Sequence, residues 1–195
     1  DSIIAMLNTN DMQIYALGKG PSAVTVNAPN TGITMGSSIL ISGTVTDISP
    51  GTEAYARTAR FPNGVAAVSD ESISEWMEYV YLQSERPIDI VGVPVTINVI
   101  DANGNYRTIG STTSDADGFF SYAWQPDIEG KYTVIATFNG SKAFYGSHAE
   151  AAFVVDPVPA TPAPTQAQIS TAADTYLLPG IIGIIIAILV VSVVL

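Results

Sequence analysis

VPVTINVIDANGNYRTIGSTTSDADGFFSYAWQPDIEGKYTVIATF, residues 93–138, decides the fold of this chain. Val93, Val95, Ile97 and Val99 alternate with smaller or polar residues, the period of a strand with one buried face. Asp101-Ala102-Asn103-Gly104 is a turn sequence, and Tyr106–Thr113 follows it as the returning arm of a hairpin. Asp117-Gly118 opens the next run, Phe119–Trp124, and Lys131–Phe138 ends at another turn, Asn139-Gly140. Outward from this block, Ala149–Val155 follows it, and Ile39–Thr46 and Ala23–Asn27 precede it with the same alternation.

Seven short strands punctuated by Asx-Gly turns predict a mainly β chain, with an immunoglobulin-like antiparallel sandwich over residues 21–155. The chain has no cysteine, so the cystine-tryptophan core of antibody domains is absent. Trp124, Phe120, Tyr132, Val134 and Phe138 are expected to fill the interior. An insertion, residues 47–91, interrupts the strand rhythm. Within it, Ile73, Trp76, Met77, Val80 and Tyr81 share one helical face, which predicts a helix over 69–84 with Ser69 as N-cap and a Val68–Ile73 staple. Asp70 and Glu71 suit its first turn. Such a helix either covers an open part of the sandwich or offers a docking surface to a partner.

Residues 175–195 predict a transmembrane helix. Tyr176–Leu195 carries no charge, and as a helix it is about 30 Å long, the thickness of a bilayer core. Membrane lipid is therefore an expected partner. Pro179 is expected in the first helical turn, where its missing N–H matters little. Gly180, Gly183 and Ala187 fall on one face, the pattern that lets a partner helix approach closely. No Lys or Arg follows the span to report orientation. Residues 156–174, with Pro157, Pro159, Pro162 and Pro164, read as an extended Pro/Thr-rich stalk able to reach ~60 Å. Ser170, Thr171 and Ala172 ahead of an apolar tail match part of a lipid-anchor signal, but the polar spacer is too short for one.

The N-terminal residues 1–20 predict a separate β-hairpin, Ile3–Leu7 against Gln13–Leu17 around Asn8-Thr9-Asn10-Asp11. They show neither the basic start nor the long apolar run of a signal peptide, so the chain is expected to be a piece of a larger exported protein.

NDMQIYALGKGPSAVTVNAPN (residues 10–30) resembles the junction that closes the last blade of a PQQ-binding-like β-propeller. The stretches SILISGTVTDISPG, SEWMEYVYLQ, the block quoted above, the Pro/Thr stalk and ADTYLLPGIIGIIIAILV resemble the C-terminal module of archaeal-type cell-surface proteins built on such propellers. The resemblance implies a single-pass membrane protein with its bulk extracellular, a scaffold or adhesion module presenting a propeller or another protein. The alternative is an accessory single-span subunit of a membrane complex. The partner would engage the sandwich, helix 69–84 or the anchor helix. In the family any quinone site lies in the propeller. No complete blade is present here, so the resemblance implies no cofactor for this chain.

Composition excludes several chemistries. Seven basic and 18 acidic residues give a net charge of −11, which opposes nucleic-acid binding. The absence of cysteine removes thiolate ligands and nucleophiles, and the single histidine, His148, cannot build a multi-His metal site. Ser147 is adjacent to His148 in a strand and so points to the opposite face. Glu75 and Glu78 have the spacing of a carboxylate pair on a helix but read as a solvated acidic face. No enzymatic constellation emerges, and no catalytic or metal residue is assigned. Asp115 and Asp117 resemble half of a calcium loop without its closing Glu, and Asp101-Ala102-Asn103-Gly104-Asn105 carries the same ambiguity; a plain turn is the alternative for both. Asn139-Gly140-Ser141 is an N-glycosylation sequon in an expected turn.

Overall fold

A computed structural model describes residues 3–160 and 172–194. The chain forms two compact units, Asp1–Val158 and Pro159–Leu195. The first begins with the hairpin β1 (Ile4–Asn8) and β2 (Gln13–Leu17), an antiparallel two-stranded sheet of its own. The loop is Thr9–Met12, one residue later than the turn sequence suggested. Asn8 completes the strand by pairing with Gln13, and Met12 takes the left-handed φ of 59°.

The strands that follow are β3 (Ser22–Asn27), β4 (Ile33–Thr34), β5 (Ile39–Asp47), β6 (Val65–Ala66), β7 (Pro94–Ile100), β8 (Tyr106–Thr113), β9 (Phe119–Trp124), β10 (Gly130–Phe138) and β11 (Ser147–Asp156). All seven expected runs are strands. One sheet has the order β4-β11-β10-β7-β8. In the other, β5 pairs with β3 on one side and with β9 and β6 on the other. Among the described strands every pairing is antiparallel except β4 with β11, where Ile33 and Thr34 run parallel to Val155 and Asp156; a lone parallel bridge also joins Gly20 to Phe144. That short edge strand departs from the purely antiparallel expectation.

Alternation dictates the core. Ile39, Ile41 and Val45 of β5, Val24 of β3 and Phe120 of β9 face Val95, Ile97, Val99, Tyr132, Val134, Ala136, Phe138 and Phe153 across one interior. Tyr132 and Phe153 stack at 5.3 Å, and Trp124, half-buried, meets Tyr132 edge-on at 5.3 Å. Gly43 is the one inward position of β5 without a side chain, because the Phe120 ring and the Thr25 carbonyl occupy the space a Cβ would need.

The insertion between β5 and β7 builds a satellite core. It contains a 3-10 turn (Pro50–Glu53), α1 (Tyr55–Arg60), β6 and α2 (Ile73–Leu82). Val65, Ala66, Val68, Trp76 and Val80 are buried together, with Phe61, Tyr79 and Tyr81 around them. α2 is shorter than the expected 69–84. Ser72, not Ser69, precedes its first turn, and Ser72 Oγ accepts from the Val91 N–H at 3.0 Å rather than capping the helix. The tie to the returning chain displaces the local cap. At the other end Gln83 is left-handed and closes the helix.

The second unit carries α3 (Ala172–Val194). Thr175–Val193 is 19 residues of mean hydropathy 2.7, long and apolar enough to cross a membrane. The helix begins earlier than expected, which places Pro179 two turns inside it rather than in the first turn. Pro179 has no N–H to donate, so the carbonyl four residues back, at Thr175, loses its helical partner. Most of the expected stalk, residues 161–171, lies outside the described residues.

Candidate interaction surfaces

The hairpin β1–β2 is apolar on both faces. Register places Ile4, Met6, Tyr15 and Leu17 on one face and Ala5, Leu7, Ile14 and Ala16 on the other. All are exposed; Ile14, at 76 %, is the extreme. A solvated hairpin alternates polar and apolar residues, whereas residues apolar on both sides belong to strands covered on both sides. The loop is well made: Asp11 accepts from Tyr15 Oη at 2.5 Å, the Gln13 N–H at 3.0 Å and Asn8 Nδ2 at 3.1 Å. The Tyr15 hydroxyl, followed by the Gln13 amide, lowers the Asp11 pKa, and Asp11 in turn raises that of Tyr15.

The hairpin leaves the sandwich from a fixed root. Gly20 N–H donates to the Ala143 carbonyl at 2.8 Å, Tyr145 N–H donates to the Gly20 carbonyl at 2.9 Å, and Ser22 Oγ donates to the Tyr145 carbonyl at 2.6 Å. The same β10–β11 loop is gripped from the insertion. Asp70 accepts from Lys142 N–H at 3.0 Å and Ala143 N–H at 3.1 Å, and these amides, the Lys142 one foremost, lower its pKa. Asp70 was expected to serve the helix dipole; it braces the hairpin root instead. Only Gly18 and Lys19 separate β2 from that root.

In the insertion, two arginines that carried no sequence signal organise the surface. Arg57 donates to the Gly51 carbonyl and lies 4.8 Å over the Tyr81 ring. Arg60 donates to the Tyr79 carbonyl at 3.1 Å, supplying a cation and a donor to the last turn of α2, and stacks 4.7 Å over the Tyr79 ring. Trp76 and Val80 are buried and Met77 half-buried, so the apolar face of α2 is spent on packing. Glu75 and Glu78 are exposed on the outer side, as the sequence suggested.

The two Asp-rich turns use their carboxylates locally. Asp115 Oδ1 accepts from the N–H groups of Asp117 and Phe119, both at 2.9 Å, and Asp117 pairs with Arg86 at 2.6 Å. Asp101 accepts from the N–H of Asn103 and of Asn105 and from the Asn105 side chain; the Asn105 contacts are the main cause of its lowered pKa. Both are Asx turns with glycine at positive φ, and among the described residues no group of three potential ligands gathers to hold a metal. His148 is exposed, while Ser147 Oγ lies 2.7 Å from Ser22 Oγ on the other side of β11. Asn139 is exposed directly after β10, and Ser141 of the sequon accepts from Ala143 and Phe144 N–H within the same loop.

On α3, Gly180 and Gly183 have open space where a Cβ would stand, and with Ala187 they leave a shallow strip along one side. Ser192 Oγ donates back to the Leu189 carbonyl at 2.8 Å, so the hydroxyl within the apolar run is satisfied inside the helix. No protein-family model matches the chain, and no curated protein matches it.

Proposed function

We propose that this protein is a membrane-anchored extracellular scaffold or adhesion module. An immunoglobulin-like sandwich is carried on a stalk and a single span, and its N-terminal hairpin engages a β-sheet partner such as a propeller. The observation that carries this reading is the hairpin, apolar and exposed on both faces, at the end of a braced root. Two strands alone are marginal in water, and this pair has no core to sustain it. A sheet partner would cover both faces and pair the free edges. The strand order, with β3-β5-β9 in one layer and β8-β7-β10-β11 in the other, supports the immunoglobulin-like assignment. The resemblance to propeller-bearing archaeal surface proteins supplies the kind of partner.

The small-residue strip of α3 favours the second reading, an accessory subunit held by its span. Sedimentation of the native complex in mild detergent separates the two. Met6→Lys with Ile14→Lys puts a charge on each hairpin face without touching the sandwich. Under the scaffold reading this variant sediments as the free chain, while Gly183→Ile stays assembled. The reverse pattern supports the accessory subunit and rejects the hairpin as the partner surface.

A further inference from the structure

We propose that the outer face of the β3-β5-β9 sheet is a binding site for a neutral saccharide. The inference rests on the register of these strands and is independent of the hairpin. Asn27, Ser42 and Ser121 stand side by side in one cross-strand row, and Thr25, Thr44 and Phe119 form the next. Alternation turns all six away from the core that Val24, Ile41, Val45 and Phe120 fill. With strands about 4.8 Å apart and same-face neighbours about 6.8 Å along a strand, the two rows make a floor of roughly 10 by 7 Å.

This floor is concave. A groove of about 480 Å³ lies over it, with Thr112, Thr113 and Asp115 at its rim. That volume falls within the range of small-molecule sites. The concavity has a sequence cause: the three-strand row carries only small polar side chains, while Phe119, 43 % exposed, rises at the side.

The lining selects the ligand class. Hydroxyls both donate and accept, and an amide does the same through separate atoms, so the floor complements a ligand whose own groups are hydroxyls. Among the described residues, the floor hydroxyls and the Asn27 amide have no hydrogen-bond partner inside the protein apart from the Thr25–Thr44 pair, at 2.8 Å, where Thr25 Oγ1 also accepts from the Thr44 N–H at 3.0 Å. Asp115 keeps one carboxylate oxygen uncommitted after serving its turn through the other. The Phe119 ring offers an apolar face of the kind on which the C–H face of a sugar ring packs. An anion is disfavoured by Asp115 and by the chain's charge of −11. A wholly apolar ligand would leave the hydroxyls unpaired.

The test is amide chemical-shift mapping on the full chain in detergent micelles, with maltotriose, cellotriose and mannotriose as probes at millimolar concentration. At least one probe is expected to shift the amides of Ser42, Thr44, Phe119 and Ser121 as a contiguous set. Phe119→Ala removes the ring and Ser121→Leu fills the groove. Each is expected to weaken that binding at least tenfold without moving the thermal midpoint, because both side chains face solvent. Ser121→Leu stands as the decisive variant if Phe119→Ala disturbs the fold. Absence of shifts with all three sugars overturns the proposal. So do shifts centred elsewhere, or binding that survives Ser121→Leu.

Discussion

Replacing Trp76 with alanine separates a packed insertion from a surface left free for a partner. Trp76 is 1 % exposed. Its ring meets Phe61 edge-on at 6.0 Å and lies 5.4 Å from Tyr79, and its Nε1–H donates to the Ala66 carbonyl at 3.0 Å. Val65, Val68 and Val80 complete the pocket. Truncation removes most of the satellite core and leaves the Ala66 carbonyl without its donor. Large aromatic-to-alanine changes in such settings cost about 3–5 kcal/mol. For a unit of this size that corresponds to a fall of roughly 6–20 °C in the thermal midpoint. Trp76→Phe keeps much of the area and loses the hydrogen bond, and is expected to cost about 1–3 kcal/mol. Circular dichroism melts of the full chain in detergent give the midpoints, and hydrogen exchange locates the damage. The insertion amides should open first, ahead of β7 and β10 in the main core, because the insertion has a core of its own. A midpoint unchanged within about 2 °C for Trp76→Ala refutes this packing, and with it the claim that the apolar face of α2 is used internally.

Gly43→Ala is expected to destabilise the sandwich by about 1–3 kcal/mol, because the new Cβ would lie 1.9 Å from the Thr25 carbonyl oxygen and 2.6 Å from the Phe120 ring; a thermal melt reads the loss. Asp70 has a lowered native pKa, so its contribution is complete above the unfolded aspartate value of about 3.9 and disappears as pH falls from there through the native value. Amide exchange at Lys142 and Ala143, corrected for intrinsic rates, should therefore accelerate over that acid window in the wild type, and should be fast at neutral pH in Asp70→Ala. In the purified chain the amides of residues 4–17 should exchange far faster than those of β10, since no core covers the hairpin.

The strands of the sandwich were legible because each buries one face, and a buried face writes a period of two into residues such as Ile39, Ile41 and Val45. The buried side of α2 was legible for the matching reason at 3.6 residues. What escaped depends on tertiary contacts. β6 is only Val65–Ala66, and its strand character comes from pairing with Thr46 and Asp47, not from any local pattern. α1 buries no residue, so it writes no periodicity; its arginines anchor it from outside through the Gly51 and Tyr79 carbonyls. The start of α2 moved because Ser72 serves Val91, a residue far along the chain. The polar groove escaped because serine and threonine on a solvent face read as ordinary strand exterior until register aligns Asn27, Ser42 and Ser121.

Because the chain has no cysteine, single-cysteine variants and a membrane-impermeant maleimide on intact cells report whether the hairpin is covered and the sandwich lies outside the cell. Met6→Cys and Ile14→Cys report the two hairpin faces, and Glu150→Cys reports the exposed surface of β11. Rapid labelling is expected at residue 150 in intact cells. At residues 6 and 14 the expected result is protection that vanishes once the chain is purified away from its partner. Labelling at 6 and 14 as fast as at 150 on intact cells would contradict a covered hairpin, and protection of 150 until the membrane is broken would contradict an extracellular domain.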